Sequence, residues 1–304
     1  MRPVVAIVAP GSMGAAVGGR LVASGAEVLT ALEGRSPASC DRAHAAGMTC
    51  VSEPELARAD FVLSIVPPGA ALALAERATQ WLISARRKPT YVDCNAVSPA
   101  TVQRIAARVI SAGAPFVDAG IIGAPPRAGA PGPNIYASGP DAPRLQALAR
   151  YGLGIRVLDA PVGAASALKM SYAGITKGLT AVGTAMLLAA IRSGVDAALH
   201  AELAESQPQL ASSFARSVPG MFPKAYRWVA EMREIAQFAS ADPAAMDMFE
   251  GAARLYDRLA RDVAGAGAEK SVLEGFFGPA GLPTQGSLRE VEAGSNASAT
   301  PFVQ

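Results

Sequence analysis

Two lysines stand in an almost uncharged and mostly apolar stretch of the chain, GAASALKMSYAGITKG, residues 163–178. An ammonium group held among apolar side chains has its charged form disfavoured, so its pKa falls and it can exchange a proton near neutral pH. Lys169 is therefore a candidate general acid or base. The structural alternative is a lysine whose stem packs while its head reaches water.

The second lysine, Lys177, follows eight residues later, which is about 80° further round an ideal helix. It could line the same cleft as Lys169 or only its rim, and the sequence leaves both open. The surrounding residues predict one long helix from about Ala165 to Ser193.

A glycine-rich turn near the N-terminus has the form of a phosphate cradle. The stretch VVAIVAPGSMGAAVGGRLVASGAEVLT reads as a strand, a tight turn, a helix and a second strand. A helix that follows such a turn presents backbone N–H groups to an anion. Ala9 takes the place of the first glycine of GxGxxG, while Gly11 and Gly14 are retained. We predict a dinucleotide-binding unit with cofactor contacts at Ala9, Pro10, Gly11, Ser12, Met13 and Gly14.

The end of the second strand carries conflicting signals about the cofactor. Glu33 could accept a hydrogen bond from a ribose 2′-hydroxyl, which favours NAD, whereas Arg35 and Ser36 could hold a 2′-phosphate. Because a Gly-Arg-Ser turn follows the glutamate and an arginine fork matches a phosphate, we favour NADP and leave NAD possible. Two later strands end at further predicted cofactor contacts, Val66, Pro67 and Asn95.

The composition narrows the class of protein. The 304 residues are 51% hydrophobic, and 27 Lys and Arg nearly balance 25 Asp and Glu without a dense basic stripe, so we expect no nucleic-acid partner. Three cysteines without CxxC spacing and two histidines predict neither a disulfide framework nor a metal site. The longest uncharged helical run, Gly178 to Ile191, is shorter than the roughly 20 residues that cross a bilayer. We therefore expect no membrane partner and a cytoplasmic location.

Short apolar runs alternate with amphipathic ones in the first half, which predicts an α/β domain of Rossmann type with a parallel sheet. The predicted strands are Val4 to Val8, Glu27 to Ala31, Phe61 to Val66, Thr90 to Asp93, Phe116 to Asp118, Ile135 to Ser138 and Arg156 to Leu158. The predicted helices between them begin near Ser12, Ser36, Gly69, Ser98 and Asp141.

From Ser166 onward the pattern is helical, with one predicted break at Pro219 and Pro223. The predicted domains are a dinucleotide-binding domain at residues 1–164, an all-α domain for substrate and dimerisation at 165–278, joined through the long helix, and a flexible tail at 279–304. Arg227, Glu231 and Glu234 fall on one helix face, which predicts either a solvated, ion-paired face or a contact of Arg227 with an anionic substrate or a partner subunit.

These motifs together resemble those of the β-hydroxyacid dehydrogenases, the superfamily of 6-phosphogluconate and 3-hydroxyisobutyrate dehydrogenases and, more distantly, imine reductases. IVAPGSMG resembles the family's IGLGxMG, and LEGRS occupies the place of its NADP-associated Asn-Arg-Ser/Thr turn. FVDAGIIGAPPRAGAPGPNIYASG resembles the DAPVSGG substrate strand, and GAASALKMSYAG resembles GxGxxxKxxNN. The segment PKAYRWVAEMREIA looks like part of an uncharacterised C-terminal domain of bacterial relatives.

The resemblance implies an NAD(P)-dependent oxidoreductase in which Lys169 lies beside the nicotinamide and the reacting oxygen of the substrate. Lys169 would then accept the hydroxyl proton while hydride leaves for the nicotinamide, and would return it in the reverse direction. The resemblance also implies a homodimer through the helical domain. Residues assigned to a small-molecule substrate are Ile121, Ile122, Gly123, Tyr172, Ala173, Thr176 and Lys177.

Departures from the family pattern leave the substrate open. Ile122 replaces the serine of DAPVSGG, Tyr172 and Ala173 replace His or Asn, and Thr176 stands where decarboxylating members have a glutamic acid. Each change removes a carboxyl, amide, imidazole or serine group, and only Tyr172 and Thr176 keep a hydroxyl, so the predicted pocket is more apolar and its hydroxyl or carbonyl substrate need not be a small sugar acid. The alternatives are an imine reductase and a dinucleotide sensor without turnover, and the retained Lys169 opposes both.

Overall fold

The computed structural model describes residues 2–127 and 129–277, and it confirms the predicted α/β class with a helical C-terminal region. Eight strands form one sheet in the order β3-β2-β1-β4-β5-β6-β7-β8. The strands are β1 (Val4–Ile7), β2 (Glu27–Thr30), β3 (Thr49–Cys50), β4 (Phe61–Ser64), β5 (Thr90–Asp93), β6 (Phe116–Ile122), β7 (Asn134–Ser138) and β8 (Gly154–Val157). Of these strands only β3 was not predicted from the sequence, because its two residues are both exposed and leave no apolar run.

Helices flank the sheet where the amphipathic runs predicted them. They are α1 (Ser12–Ala23), α2 (Pro37–Ala45), α3 (Ala71–Ser84) and α4 (Pro99–Ser111). The helix predicted near Asp141 is a 3₁₀ helix, Ala142–Tyr151, and further 3₁₀ turns lie at Pro54–Arg58 and Pro68–Ala70. Both faces of the sheet are covered by buried apolar clusters, which is why the strands read as continuous apolar runs.

The sheet is parallel from β3 to β6, but β7 runs antiparallel to β6 and β8 runs parallel to β7. The sequence pattern predicted a parallel sheet throughout. The connection between β6 and β7, residues 123–133, contains four prolines and has no helix among its described residues. Parallel neighbours need a crossover connection, so a chain that returns directly pairs antiparallel.

The helical part begins with the long helix α5 (Ala164–Arg192), within one residue of its predicted ends. The helices after it are α6 (Asp196–Ser206), α7 (Pro208–Met221), α8 (Ala225–Phe238), α9 (Pro243–Ala264) and α10 (Ala268–Phe276). The prediction of a single break was wrong. Pro219 lies inside α7, Pro223 lies in a 3₁₀ turn, and the chain also turns after α5 at Gly194, whose φ of 70° stops a helix.

By length and composition alone, α5 could cross a membrane, with a mean hydropathy of 1.5 over an 18-residue window. Of that window, 44% is buried within the protein. Core helices of soluble proteins pass the same test, so α5 is weak evidence for a membrane span. The expected absence of a membrane partner stays a prediction.

The described residues form two compact units, each of which includes part of α5 and part of α9. The first holds residues 2–176 and 227–253, and the second holds residues 177–226 and 254–277. The domain boundaries predicted from the sequence stay a prediction, and the predicted flexible tail at 279–304 lies outside the described residues.

Within the first unit, α8 contacts the beginning of α4. The Glu234 carboxylate accepts hydrogen bonds from the Ser98 backbone N–H at 2.7 Å and from the Thr101 hydroxyl at 3.0 Å. The Ser98 hydroxyl lies 3.0 Å from the side-chain oxygen of Gln237. Glu234 therefore caps a neighbouring helix, and it does not belong to a solvated face as one reading of the sequence had it.

Candidate cofactor and active site

The predicted phosphate cradle lies between β1 and α1. Gly11 is the N-cap of α1, no side chain caps this end, and the first turn carries no acidic residue. The N–H groups of that turn can therefore bind an anion, which the helix dipole favours. A Cβ at Gly11 would meet no atom within 4 Å, so a ligand can approach the backbone here.

Gly14 has a different role from Gly11. A Cβ at Gly14 would collide with the carbonyl oxygen of Ala9 and would come within 3.3 Å of Ile7. This glycine lets α1 pack directly on β1. The Ala9 carbonyl also accepts the Gly11 N–H at 2.9 Å, which closes the turn. Of the other residues of this turn that were predicted to contact the cofactor, Pro10 is buried, Met13 is half-buried and Ser12 is exposed.

Two arginines converge on this turn from the end of β2 and from α2. One guanidinium nitrogen of Arg35 lies 3.5 Å from the carbonyl oxygen of Val8, and its Nε is buried without a hydrogen-bond partner. Arg42 donates from Nε to the carbonyl oxygen of Pro10 at 3.1 Å and from Nη2 to the Ser39 hydroxyl at 2.9 Å. Arg35 and Arg42 therefore contact backbone carbonyl oxygens that are two residues apart, those of Val8 and Pro10.

Positive charge is in surplus at this place. Neither arginine is ion-paired with a carboxylate in the part of the chain that the structure describes. The Ser36 hydroxyl lies 3.1 Å from that of Ser39, and Ser36 begins α2 without capping it through its side chain. Glu33 is exposed. Two unneutralised guanidinium groups beside two hydroxyls and a helix N-terminus suit a dianion such as a phosphate monoester.

The sequence pattern identified Arg35 and Ser36 here, but Ser39 and Arg42 were missed. The available signal was their spacing, because Ser36, Ser39 and Arg42 recur every three residues along one side of α2. An arginine in a helix is common, so this spacing gains meaning only once α2 is known to lie beside the glycine turn.

Asn95, at the end of β5, ties two strand ends together. Its Oδ1 accepts the Val66 N–H at 2.7 Å, and its Nδ2 donates to the Ser64 hydroxyl and to the Asp93 carboxylate, both at 2.8 Å. The amide is 2% exposed and its groups are already bonded within the protein. Asn95 thus holds the turn that begins with Val66 and Pro67, and its direct contact with a cofactor stays a prediction.

Asp93 is a buried carboxylic acid beside this amide. Burial raises the pKa of Asp93 to about 7, while hydrogen bonds from the Asn95 N–H groups lower it. The charge of Asp118, which is its register partner on β6, raises the pKa further. Asp93 therefore changes protonation near neutral pH.

Lys169 lies in α5 against the carboxyl half of β6. A Cβ at Gly120 would come within 3.1 Å of the Lys169 Cβ and 2.9 Å of the Ala165 carbonyl oxygen, so helix and strand are in direct contact. Burial lowers the pKa of the Lys169 ammonium below its usual range. Lys169 has the environment that the sequence predicted for an acid or base, and its role stays a proposal.

The residues assigned to the substrate divide between two faces of β6. Side chains alternate along a strand, so Ile122 shares the face of Gly120, which is the face toward Lys169. Ile121 points to the opposite face and belongs to the buried core there. Gly123 follows with a φ of 131°, a conformation that favours glycine.

On α5, Ala173 and Thr176 share the face of Lys169 at four and seven residues further on. Ala173 is buried, and the Thr176 hydroxyl donates to the Tyr172 carbonyl oxygen at 2.9 Å. The Tyr172 side chain is half exposed on the neighbouring face. The Lys177 carbonyl oxygen accepts a hydrogen bond from the Tyr256 hydroxyl in the second unit. The predicted residues that share this side are thus Lys169, Ala173 and Thr176 on α5 and Ile122 on β6.

Comparison with known proteins bears on the identity of this site. A family profile described as the NAD binding domain of 6-phosphogluconate dehydrogenase matches residues 4–144, and a domain of unknown function, DUF1932, matches residues 190–259. An uncharacterised 28.5 kDa protein of Methanothermus fervidus is 31% identical over 215 residues, which are 70% of this chain and 81% of the relative. A solved structure of a conserved protein, described as similar to 3-hydroxyacid dehydrogenases, is 32% identical with a TM-score of 0.64 over 86% of this chain and 98% of its own. The chain belongs to the β-hydroxyacid dehydrogenase superfamily.

This membership confirms the resemblance seen in the motifs, and the matched NAD-binding domain makes the chain a nicotinamide-nucleotide-binding protein of the β-hydroxyacid dehydrogenase type. The superfamily fold extends over nearly the whole chain. Mycobacterium tuberculosis 3-hydroxyisobutyrate dehydrogenase, solved with L-serine, is 20% identical and superposes with a TM-score of 0.65 over 90% of this chain and 99% of its own.

Proposed function

We propose that the protein is an NADP-preferring dehydrogenase or reductase that acts on a hydroxyl or carbonyl group of a small molecule, with Lys169 as the proton acceptor and donor. The observation that carries this proposal is the pair of guanidinium groups beside the glycine turn in the same compact unit as Lys169, a half-buried lysine whose pKa is lowered by burial.

The cofactor preference rests on charge. The uncapped start of α1 fits a pyrophosphate, and Arg35, Arg42, Ser36 and Ser39 fit a 2′-phosphate. A 2′-hydroxyl would leave both guanidinium groups without a counter-ion, and the buried Nε of Arg35 without a partner. Hydrogen bonds between an arginine and a phosphate are about twice as strong as neutral ones, so the phosphate is the better match.

A bound nicotinamide supplies hydride transfer, and the chain supplies the proton chemistry. In the oxidative direction the neutral amine of Lys169 accepts the hydroxyl proton at Nζ, and in the reductive direction the ammonium returns it. Burial serves both directions because it brings the pKa of Lys169 down toward the working pH. The neighbouring Ile122 favours a substrate less polar than a sugar acid.

The test is turnover of NADPH or NADP with panels of hydroxy acids, alcohols, aldehydes, ketones and imines, with Lys169→Met as the matched variant. We expect turnover with at least one hydroxyl or carbonyl compound and its loss in Lys169→Met. Nucleotide binding without turnover on any panel would instead identify a sensor, and turnover of imines alone would identify an imine reductase.

We further propose that the protein is a cytoplasmic homodimer without nucleic-acid or membrane partners. Support for the homodimer comes from α5, whose large exposed apolar side chains are spaced alternately four and three residues apart. They are Leu168, Tyr172, Ile175, Leu179, Val182 and Met186. This spacing makes one stripe, the pattern by which a helix packs against another helix, and exposed stripes of this kind mark interfaces.

A further inference from the structure

Asp118 is a fully buried carboxylate on β6 that the proposed chemistry does not use directly. Its Oδ2 accepts the Ser138 hydroxyl at 2.9 Å and the backbone N–H groups of Gly163 and Ser166 at 2.9 and 3.1 Å. Its Oδ1 accepts the Ser166 hydroxyl at 2.7 Å. A buried carboxylate is costly unless it is well hydrogen-bonded, and four donors converge on this one.

These bonds fix the start of α5. The first N–H groups of a helix have no partner within the helix and must find one elsewhere. Asp118 binds those of Gly163 and Ser166, and the Ser138 hydroxyl oxygen accepts that of Ala165 at 3.0 Å. Side chains from two neighbouring strands, β6 and β7, therefore hold three positions at the start of α5. The positive end of the helix dipole also favours the carboxylate.

Lys169 follows Ser166 by three residues, less than one turn of helix. Gly120 stands two residues after Asp118 and shares its face of β6. At Gly120 the strand and the helix approach so closely that an added Cβ would lie 3.1 Å from that of Lys169. The start of α5 is thus anchored at Asp118, and the next contact along β6 is with the lysine itself.

We propose that Asp118 is a positioning residue, which locks the first turn of α5 to β6 and β7 and so holds in place the Lys169 side chain, whose Cβ lies against Gly120. This inference rests on the proposed role of Lys169 as acid and base. Without the lock, α5 can fray at its start and Lys169 gains access to water.

The experiment measures how fast Lys169 reacts with acetic anhydride as a function of pH, with peptide mass spectrometry as the readout. It needs no substrate, and the exposed Lys224 serves as an internal reference. The variants are Asp118→Ala, Asp118→Asn and Ser166→Ala, of which the last removes only the bond to Oδ1. Asp262→Asn is the matched control, because Asp262 caps α10 in the same way through the N–H groups of Glu269 and Lys270.

In the wild type we expect Lys169 to react at a lower pH midpoint than Lys224. In Asp118→Ala the midpoint should rise toward that of Lys224, because water then reaches the ammonium group. Asp118→Asn and Ser166→Ala should shift it in the same direction by less, and Asp262→Asn should leave it unchanged. The two milder variants carry the test if Asp118→Ala does not fold, which circular dichroism will show.

An unchanged Lys169 midpoint in all folded Asp118 and Ser166 variants would overturn the positioning role and leave the proposed function intact. Equal midpoints for Lys169 and Lys224 in the wild type would instead remove the basis of the acid–base role itself.

Discussion

Lys169 is the residue on which the chemistry depends, and its pKa sets the pH dependence of turnover. Oxidation needs the neutral amine, so kcat should rise with pH through the pKa of Lys169, which burial places below its ordinary value of 10.5. Reduction needs the ammonium and should show the opposite slope. We expect Lys169→Met to lower kcat by about 10²-fold or more and to lose the pH dependence. Nucleotide affinity that fell together with kcat would point to a structural role.

Asp93 makes a separate prediction about stability. Its pKa is 3.8 in an unfolded chain and about 7 in the folded protein, so the folded state holds a proton that the unfolded state releases between these values. The stability that Asp93 contributes is therefore complete below about pH 4 and is lost as the pH rises to about 7. The substitution Asp93→Asn should remove this pH-dependent loss of stability, because an amide does not ionise.

Urea unfolding near pH 4 and near pH 8 should show Asp93→Asn gaining up to about 4 kcal/mol relative to the wild type across that interval. Asp159→Asn, at an exposed position, is the control and should show no such trend. A constant difference between Asp93→Asn and the wild type at every pH would mean that Asp93 is ionised throughout.

At the scale of elements, the two glycines of the α1 turn separate binding from packing. Gly14→Ala brings a methyl group into the Ala9 carbonyl and should destabilise the protein by about 1–3 kcal/mol. Gly11→Ala points into open space and should cost less than about 1 kcal/mol. It should nevertheless weaken NADPH binding, because its methyl group narrows the cradle. Thermal unfolding with and without NADPH measures both effects, and equal losses of stability would contradict this division.

Elements were predictable from the sequence where local pattern decides them. The turn between β1 and α1 and the extent of α5 follow from glycine spacing and from helical periodicity. The reversal of β7 does not, because it depends on how a proline-rich connection returns to the sheet. The role of Arg42 was missed and the capping role of Glu234 was not foreseen for the same reason, since their partners lie on other elements.

At the scale of the whole molecule, the exposed stripe of α5 predicts self-association. Ile175 is its most exposed member at 72%, and Ile175→Glu places a charge in the proposed seam. Sedimentation should show a dimer for the wild type and a monomer for this variant, with unchanged secondary structure. Ile83→Glu is the matched control, because Ile83 is 64% exposed and lies on α3, so it is not a member of the stripe. Dissociation by both variants, or by neither, would contradict a dimer through α5.

The division of the chain into two compact units could be predicted only in part from the sequence. The change from mixed α/β to all-α pattern was visible near residue 165, and the helical class of the C-terminal region is confirmed. The first compact unit nevertheless includes residues 227–253. These residues join the first unit through tertiary contacts, such as that of Glu234 with the start of α4. Local periodicity in the sequence gives no signal for such contacts.

The most direct test of the central claim is a fluorescence titration of the wild type and of Arg42→Ala with NADPH and with NADH. The wild type should bind NADPH more tightly, and Arg42→Ala should lose about 10- to 100-fold in NADPH affinity, as expected for one charge-assisted contact. NADH affinity should stay within about threefold, since no 2′-phosphate is present. Arg144→Ala, which removes an exposed arginine paired with Asp141, should change neither. Equal affinity of the wild type for both nucleotides, unaffected by Arg42→Ala, would contradict the NADP assignment, and failure to bind either would contradict the oxidoreductase account as a whole.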